Sequence, residues 1–249
     1  MKVSIITICY NSAATIEDTI KSVVSQDYPQ IEYIIIDGAS KDNTLDIINN
    51  YKEHITTLIS EPDKGIYDAM NKGVNAATGD VVGILNSDDF YASTSVITSV
   101  VNQLEEAQTD ALYADLVYVD RDNPDKITRT WISGGYKRGL FKKGWMPPHP
   151  TFFVKKSCYD KYGLYSTELR SAADYELMLR MIHKNEISLT YLKQVITKMR
   201  VGGESNVSLK NRLRANREDK EAWKMNGLKP GKLTMVRKPL SKLKQFIRK

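Results

Sequence analysis

The chain is poor in the features that mark several large protein classes. It has two cysteines in 249 residues, Cys9 and Cys158, which give neither a disulfide framework nor a zinc pattern. Cys9 reads as a small buried strand residue and Cys158 as an ordinary helix residue, and the expected compartment is the reducing cytosol. No run of 18 or more apolar residues occurs, which excludes a membrane-spanning helix. The start, Met1-Lys2-Val3-Ser4, runs directly into a strand pattern and lacks the flanks of a secretory leader. There is no internal repeat and no low-complexity tract. The first loop, Thr7-Ile8-Cys9-Tyr10-Asn11, contains no glycine, which argues against the dinucleotide turn of an NAD-dependent dehydrogenase.

Apolar residues make up 41% of the chain, enough for a core of one large domain or one domain with an appendage. Charge is uneven. Residues 205–249 carry 14 Lys and Arg against three acids, while residues 1–204 carry 22 against 27. An acidic body therefore bears a strongly basic tail.

Strand and helix patterns alternate four times. Lys2–Asn11 reads as a strand, followed by a helix from about Ser12 with Ile16, Ile20, Val23 and Val24 at helical spacing. Tyr33–Asp37 is a second strand, and Leu45, Ile47 and Ile48 mark its helix. Thr57–Ser60 is a third, with a helix over about Ile66–Ala77. The apolar run Asp80–Leu85 is a fourth and ends on Asn86-Ser87-Asp88-Asp89. Such alternation predicts an α/β fold with a mostly parallel, Rossmann-like sheet flanked by helices. Polar residues follow every strand: Tyr10-Asn11, Asp37, Asp63-Lys64 and Ser87-Asp88-Asp89. Open α/β sheets bind ligands outside the carboxyl ends of their strands, so the four segments are expected to share one crevice. Adjacent carboxylates at a buried strand end repel each other and are costly to desolvate. A divalent cation shared with substrate phosphates relieves both problems; helix capping is the alternative.

Taken together, Val3-Ser4-Ile5-Ile6…Tyr10-Asn11, Ile35-Ile36-Asp37-Gly38-Ala39-Ser40-Lys41-Asp42-Asn43-Thr44, Gly65…Ala69-Met70-Asn71-Lys72-Gly73…Ala77-Thr78-Gly79-Asp80 and Asn86-Ser87-Asp88-Asp89 resemble glycosyltransferase family 2 over about residues 2–205. The stretch Ser60–Gly73 is similar to the subgroup that builds bacterial exopolysaccharide, capsule and lipopolysaccharide. The resemblance implies a GT-A fold and transfer, with inversion, of a sugar from a UDP- or GDP-sugar. It implies Mn²⁺ or Mg²⁺ on Asp89 directly, with Asp88 near the metal or ribose. Tyr10 would cover the nucleobase, Asp37 would lie near base or ribose, and Asp63 would line the pocket. Asn71 stands on the next helix, where it points at the donor or caps. Ser87 and Gly38 replace acids found in relatives.

The acceptor hydroxyl needs a base within hydrogen-bond reach. Asp174, in Ser171-Ala172-Ala173-Asp174-Tyr175-Glu176, matches the family's base position, and helix capping is its other reading. Ala173 replaces the acid usual before it, and Glu176 is the competing candidate, expected on the flank. The Gly-, aromatic- and Lys-rich segment 134–150 is expected to form part of the acceptor site, with His149 as a third metal ligand, a phosphate contact or neither.

The expected organisation is a glycosyltransferase domain over 1–205, with a nucleotide-sugar half over about 1–115 and an acceptor half over about 116–205. A basic helical extension over 206–249 follows, in which Leu240, Leu243, Phe246 and Ile247 alternate with Lys and Arg. That pattern reads as an interfacial helix on anionic lipid, not a nucleic-acid module. The expected location is cytoplasmic, peripheral at the inner face of the plasma membrane, with a glycan or polyprenyl-linked acceptor. The rivals are a sugar-1-phosphate nucleotidyltransferase, whose Gly- and Lys-rich first loop is missing, and a catalytically inactive glycan- or membrane-binding protein of the same fold.

Overall fold

The computed structural model describes residues 1–202 and 209–241. Its first half follows the predicted alternation. Strands β1 (Val3–Cys9), β2 (Ile31–Asp37), β3 (Thr57–Ser60) and β4 (Val81–Ile84) are joined through α1 (Ile16–Val24), α2 (Thr44–Asn49) and α3 (Ile66–Ala76). They pair in parallel in the order β3-β2-β1-β4. The first helix starts later than expected, because the Ser12 carbonyl accepts the N–H groups of Thr15 and Ile16 and forms a turn ahead of it.

Beyond β4 the sheet is mixed. The remaining elements are β5 (Asp89–Tyr91), α4 (Val96–Ala107), β6 (Ala111–Val119), β7 (Ile127–Trp131), β8 (Phe153–Lys155), α5 (Lys156–Tyr162), α6 (Ala173–Met178), β9 (Leu189–Arg200), α7 (Leu209–Met225) and α8 (Thr234–Ser241). A single turn of π-helix, Leu179–Lys184, extends α6. Antiparallel β8 joins β4 to β6, and β9 runs parallel to β6 and antiparallel to β5. The β4–β8 contact is close. A Cβ on Gly83 would meet the Phe153 ring at 2.4 Å, so a side chain there would displace the aromatic.

Strand alternation sends successive residues to opposite faces. Val3, Ile5 and Cys9 pack with Ile16, Ile20 and Val23 of α1 and Val100 and Leu104 of α4. Ile6 and Ile8 pack on the other face with Met70 and Val74 of α3, Leu177 of α6 and Trp223 of α7.

The tail is helical, as expected, and α7 packs into the body: Ala222 and Trp223 are fully enclosed in the main core. The basic composition hid two apolar residues on the inner side of that helix. Val207 and residues 242–249, including Leu243, Phe246 and Ile247, lie outside the described residues.

Candidate active site

The carboxyl ends of β1, β2 and β3 meet. Gly38 is the contact point: a Cβ there would stand 2.4 Å from Asp63 Oδ2 and 3.4 Å from Tyr10 Cδ2. Tyr10 is 59% exposed and presents a free ring. Asp63 is partly exposed, and its Oδ1 accepts the Gly65 N–H at 2.8 Å. The expected grouping of Tyr10 with Asp63 is thus present.

Asp37 plays a different part from the one expected. It is fully buried, and its oxygens accept the Ser40 N–H at 3.1 Å, the Ser40 hydroxyl at 2.5 Å and the Ser60 hydroxyl at 2.7 Å. Its lone pairs fix the turn after β2 and leave little for a ribose. Asn11 Oδ1 accepts the Lys41 N–H at 2.9 Å, while Thr15 holds the cap position of α1. Asn71, expected in the donor pocket, spends its amide elsewhere: Nδ2 donates to the Tyr165 carbonyl and Oδ1 accepts the Tyr165 N–H, both at 2.9 Å. Asp68 accepts the Lys64 N–H at 2.9 Å and secures the start of α3.

The Asn86–Asp89 turn joins this edge through Ser87, whose hydroxyl lies 2.8 Å from that of Ser12. Its two carboxylates differ. Asp89 is 0% exposed, because it shares the inward face of β5 with buried Tyr91. Asp88 precedes the strand and is partly exposed. Asp88 is thus the more accessible of the two carboxylates. Burial raises the pKa of Asp89 well above the ordinary range, and the Asp88 charge raises it further. Burial also raises Asp88, against the opposing pull of Arg200 and Arg121. Arg200 donates to the Asp88 carbonyl at 3.1 Å and pairs with Asp18.

Asp89 Oδ2 accepts from Asn86 Nδ2 at 3.3 Å, but Asp89 Oδ1 and Asn86 Oδ1 are buried without a hydrogen-bond partner among the described residues. Two orphaned oxygens beside a second carboxylate have the donor chemistry of a hard divalent cation. No three His, Cys, Asp or Glu side chains converge among the described residues. A cation here would draw its further ligands from substrate oxygens.

Asp174 lies in the first turn of α6, but it is not the cap. Ala172 holds that position, and no side chain caps the helix. Instead the Tyr67 hydroxyl donates to Asp174 Oδ1 at 3.2 Å. Tyr67 lies in the first turn of α3, only four residues after Asp63, so Asp174 is tied to the segment that follows β3. Its surroundings are aromatic. The Tyr165 ring stacks on Tyr67 at 6.0 Å, and the Tyr165 hydroxyl lies 2.8 Å from His149 Nε2. Burial pushes the Tyr67 and Tyr165 phenols well up and the His149 imidazole down. His149 is buried in this cluster and contributes nothing to the Asp88–Asp89 pair.

Glu176, expected on a flank, is buried inside the wall. It forms a two-pronged pair with Arg180 at 2.8 and 2.9 Å and accepts from Asn226 at 2.9 Å. Arg180 also binds the carbonyls of Tyr162, Gly163 and Leu164. Helix α7 completes this wall. Glu218 accepts the Arg170 and Ser171 N–H groups, and Trp223 donates to the Tyr175 hydroxyl at 2.9 Å. Lys238 of α8 pairs with Asp219 at 2.6 Å and stands 3.5 Å over the Tyr175 ring.

The segment 134–150 is irregular, as expected, with short 3₁₀ turns at Leu140–Lys143 and His149–Thr151. Trp145 packs against Tyr113, Tyr136 and Phe141 and donates to the Ser133 carbonyl. Buried Asp115 anchors the segment by accepting the Ser133 N–H at 2.7 Å and the Tyr191 hydroxyl at 2.9 Å. Sequence reasoning missed Tyr67, Tyr165 and Arg200. None lies in a local pattern; each reaches the site from a distant segment.

Residues 4–163 match the model of glycosyl transferase family 2. An uncharacterized glycosyltransferase of Mycobacterium tuberculosis is 34% identical over 184 residues, 72% of this chain and 68% of its own length. A UDP-Glc:alpha-D-GlcNAc-diphosphoundecaprenol beta-1,3-glucosyltransferase of Escherichia coli is 36% identical over 123 residues, 48% of this chain and 47% of that protein. Among solved structures, Staphylococcus aureus TarS with UDP-GlcNAc aligns at TM-score 0.69 and 19% identity, over 91% of this chain and 65% of its own. The Pyrobaculum calidifontis mannosyltransferase PcManGT, with GDP-Man and Mn²⁺, aligns at TM-score 0.69 and 18% identity, over 95% and 68%. This chain has the same GT-A fold.

Proposed function

The chain belongs to glycosyltransferase family 2, and on that premise we propose an inverting, metal-dependent transfer from a nucleotide-diphospho-sugar to a lipid-linked glycan in surface polysaccharide biosynthesis. One observation carries the reading. Asp89 and Asn86 keep buried oxygens without a hydrogen-bond partner among the described residues beside a second carboxylate, Asp88, and Asp174 bonds to Tyr67 of α3 and does not cap its own helix. Relatives use UDP-Glc, UDP-GlcNAc and GDP-Man, and one acts on a diphosphoundecaprenol-linked acceptor.

In this reading Tyr10 covers the nucleobase and Asp63 borders the nucleoside. Asp88 and Asp89 would hold Mn²⁺ or Mg²⁺, which would neutralise the leaving diphosphate. Asp174 accepts the proton of the acceptor hydroxyl as that oxygen attacks the anomeric carbon opposite the departing nucleotide. The Tyr67 hydrogen bond holds the carboxylate in place, and the phenol–imidazole cluster behind it keeps water out. The exposed Leu233, Val236 and Leu240 beside Lys232 and Arg237 support contact with the anionic inner face of the plasma membrane.

The test is nucleotide release from a panel of UDP-, GDP- and dTDP-sugars, with a GlcNAc-diphospho-lipid as acceptor and with Mn²⁺, Mg²⁺ or chelator. Release with one nucleotide class, lost on chelation, is expected. Release from none of the sugars, or release indifferent to chelator, would overturn the reading or its metal requirement respectively.

A further inference from the structure

Asp174 is delivered by a loop. Residues 163–172 connect α5 to α6 without regular structure, and three elements far apart in sequence fasten them. Arg180 of the π-helical turn binds the carbonyls of Tyr162, Gly163 and Leu164. Asn71 of α3 exchanges two hydrogen bonds with the Tyr165 main chain, both at 2.9 Å. Glu218 of α7 takes the end nearest Asp174. It is 8% exposed, and its Oε2 accepts the Arg170 N–H at 3.1 Å and the Ser171 N–H at 2.7 Å.

The sequence of α7 places one row of side chains against this segment. Arg214, Glu218, Ala222 and Asn226 recur every four residues and so share one side of the helix. Ala222 is fully enclosed and, with only a methyl group, lets the helix come close. From the same side Arg214 Nε donates to the Ser171 hydroxyl at 3.1 Å, and Asn226 Nδ2 donates to Glu176 Oε1 at 2.9 Å. The adjacent Trp223 donates to the Tyr175 hydroxyl at 2.9 Å, and Lys238 of α8, paired with Asp219, lies 3.5 Å over the same ring. The grip thus takes hold of residues 170, 171, 175 and 176, on both sides of Asp174.

A helix start without a side-chain cap leaves its first N–H groups unheld, and α6 has no such cap. Fixing that turn falls to contacts from elsewhere. Tyr67 supplies one bond to the Asp174 carboxylate at 3.2 Å. Glu218 acts on the main chain just ahead of it. Charge-assisted bonds from one buried carboxylate to two consecutive N–H groups leave residues 170 and 171 little freedom, and Asp174 follows three residues later. A shift of about 1 Å in a reacting group can cost about 10²-fold in rate.

We infer that Glu218 is a positioning residue for Asp174, acting through the Arg170 and Ser171 N–H groups, and that α7 is the clamp that holds this carboxylate beside Tyr67. The consequence for turnover rests on the function proposed above; the clamp itself does not.

Two measurements on the full chain test it. The first is amide hydrogen exchange at Glu176, whose N–H reaches the Ala172 carbonyl at 2.9 Å. Exchange there should quicken about tenfold or more in Glu218→Ala and several-fold in Glu218→Gln, which keeps an acceptor oxygen. Unchanged exchange at Ile6 and Ile34 in the central strands shows that a variant is folded, and the glutamine variant carries the comparison where the alanine variant does not fold. Unchanged exchange at Glu176 in a folded variant overturns the clamp without reference to turnover. The second is nucleotide release. With KM for the donor unchanged, kcat should fall about tenfold or more in Glu218→Ala and several-fold in Glu218→Gln. Introduced into Asp174→Asn, the same substitutions should cause no further loss, because the group they position is already gone. Equal losses in both backgrounds would mark a role in the fold at large and overturn the assignment. Asp174→Asn with the turnover of the unsubstituted chain would count against the proposed function, and exchange at Glu176 would still decide the clamp.

Discussion

At the N-terminal edge of the sheet, Glu32 is buried among donors. Lys2 and the Thr78 hydroxyl reach one oxygen at 2.6 Å, and the Ser4 hydroxyl at 2.6 Å and the Thr78 N–H at 2.7 Å reach the other. Burial by itself would raise this carboxyl, but the four bonds outweigh it and hold the pKa at about 2. At the C-terminal edge of the same sheet, Asp89 is buried as deeply, beside a second carboxylate, with one oxygen unsatisfied. Its pKa moves in the opposite direction. One edge commits its polar groups to the fold, while at the other a buried carboxylate oxygen has no hydrogen-bond partner among the described residues. Buried charge by itself therefore says little; the partner count decides whether a carboxylate is structural or poised for chemistry.

The sharpest way to break this comparison is at the unsatisfied edge. Asp88→Asn should lower turnover by about 10³-fold, roughly 4 kcal/mol of transition-state stabilisation. Asp89→Asn should also abolish transfer, yet leave the ligand-free protein as stable or more so, because it removes a like charge and an unsatisfied oxygen. Steady-state kinetics and thermal melts of both variants check this, and a large loss of melting temperature in Asp89→Asn would make that residue structural.

Asp174→Asn should lower turnover by about 10²-fold or more with little change in donor affinity. The helix cap is already assigned to Ala172, so stability should hold. Normal turnover with lowered stability would remove Asp174 from the chemistry. Glu176→Gln is its counterpart and should fail through folding, since Glu176 holds Arg180 and Asn226.

At the satisfied edge, Glu32→Gln should cost about 2–3 kcal/mol at neutral pH. A carboxyl lowered from 4.5 to about 2 stabilises the fold above its unfolded pKa, and that contribution is lost as pH falls through the folded value. Denaturant unfolding at pH 7 and at pH 2 should therefore show a difference that closes in acid. A pH-independent difference would mean that packing, not charge, is what Gln disturbs.

The smallest effect belongs to Tyr67→Phe, which keeps the ring stacked on Tyr165 and deletes one hydrogen bond to Asp174. A fall in kcat of about tenfold, or 1.4 kcal/mol, with KM for the donor unchanged, would mark a positioning role. Equal changes in kcat and melting temperature would mark a structural one.

Much of the fold was legible because its first half is built from local signals. Four apolar strands, three helical periodicities between them and a polar cluster after each strand predict a parallel α/β sheet and the edge where ligands gather. Tyr10, Asp63 and Asp88 could be placed from that pattern. Asp37 and Asn71 could not, because whether a buried polar group faces a ligand or its own backbone depends on partners such as Ser60 and Tyr165, which come from other segments. How deeply the tail packs was not legible for a related reason: two enclosed residues, Ala222 and Trp223, bind α7 to the core, and composition counts them no differently from solvated lysines.

The sequence by itself determined the family, the α/β alternation and the carboxylates on which transfer would depend, since these rest on short-range periodicity and motif order. Only the tertiary structure decided which of Asp88 and Asp89 is accessible, that Asp174 bonds to Tyr67 instead of capping its helix, and that α7 and α8 pack against α6. Each of those outcomes depends on hydrogen bonds and burial between residues far apart in the chain, and such pairings leave no trace in local pattern.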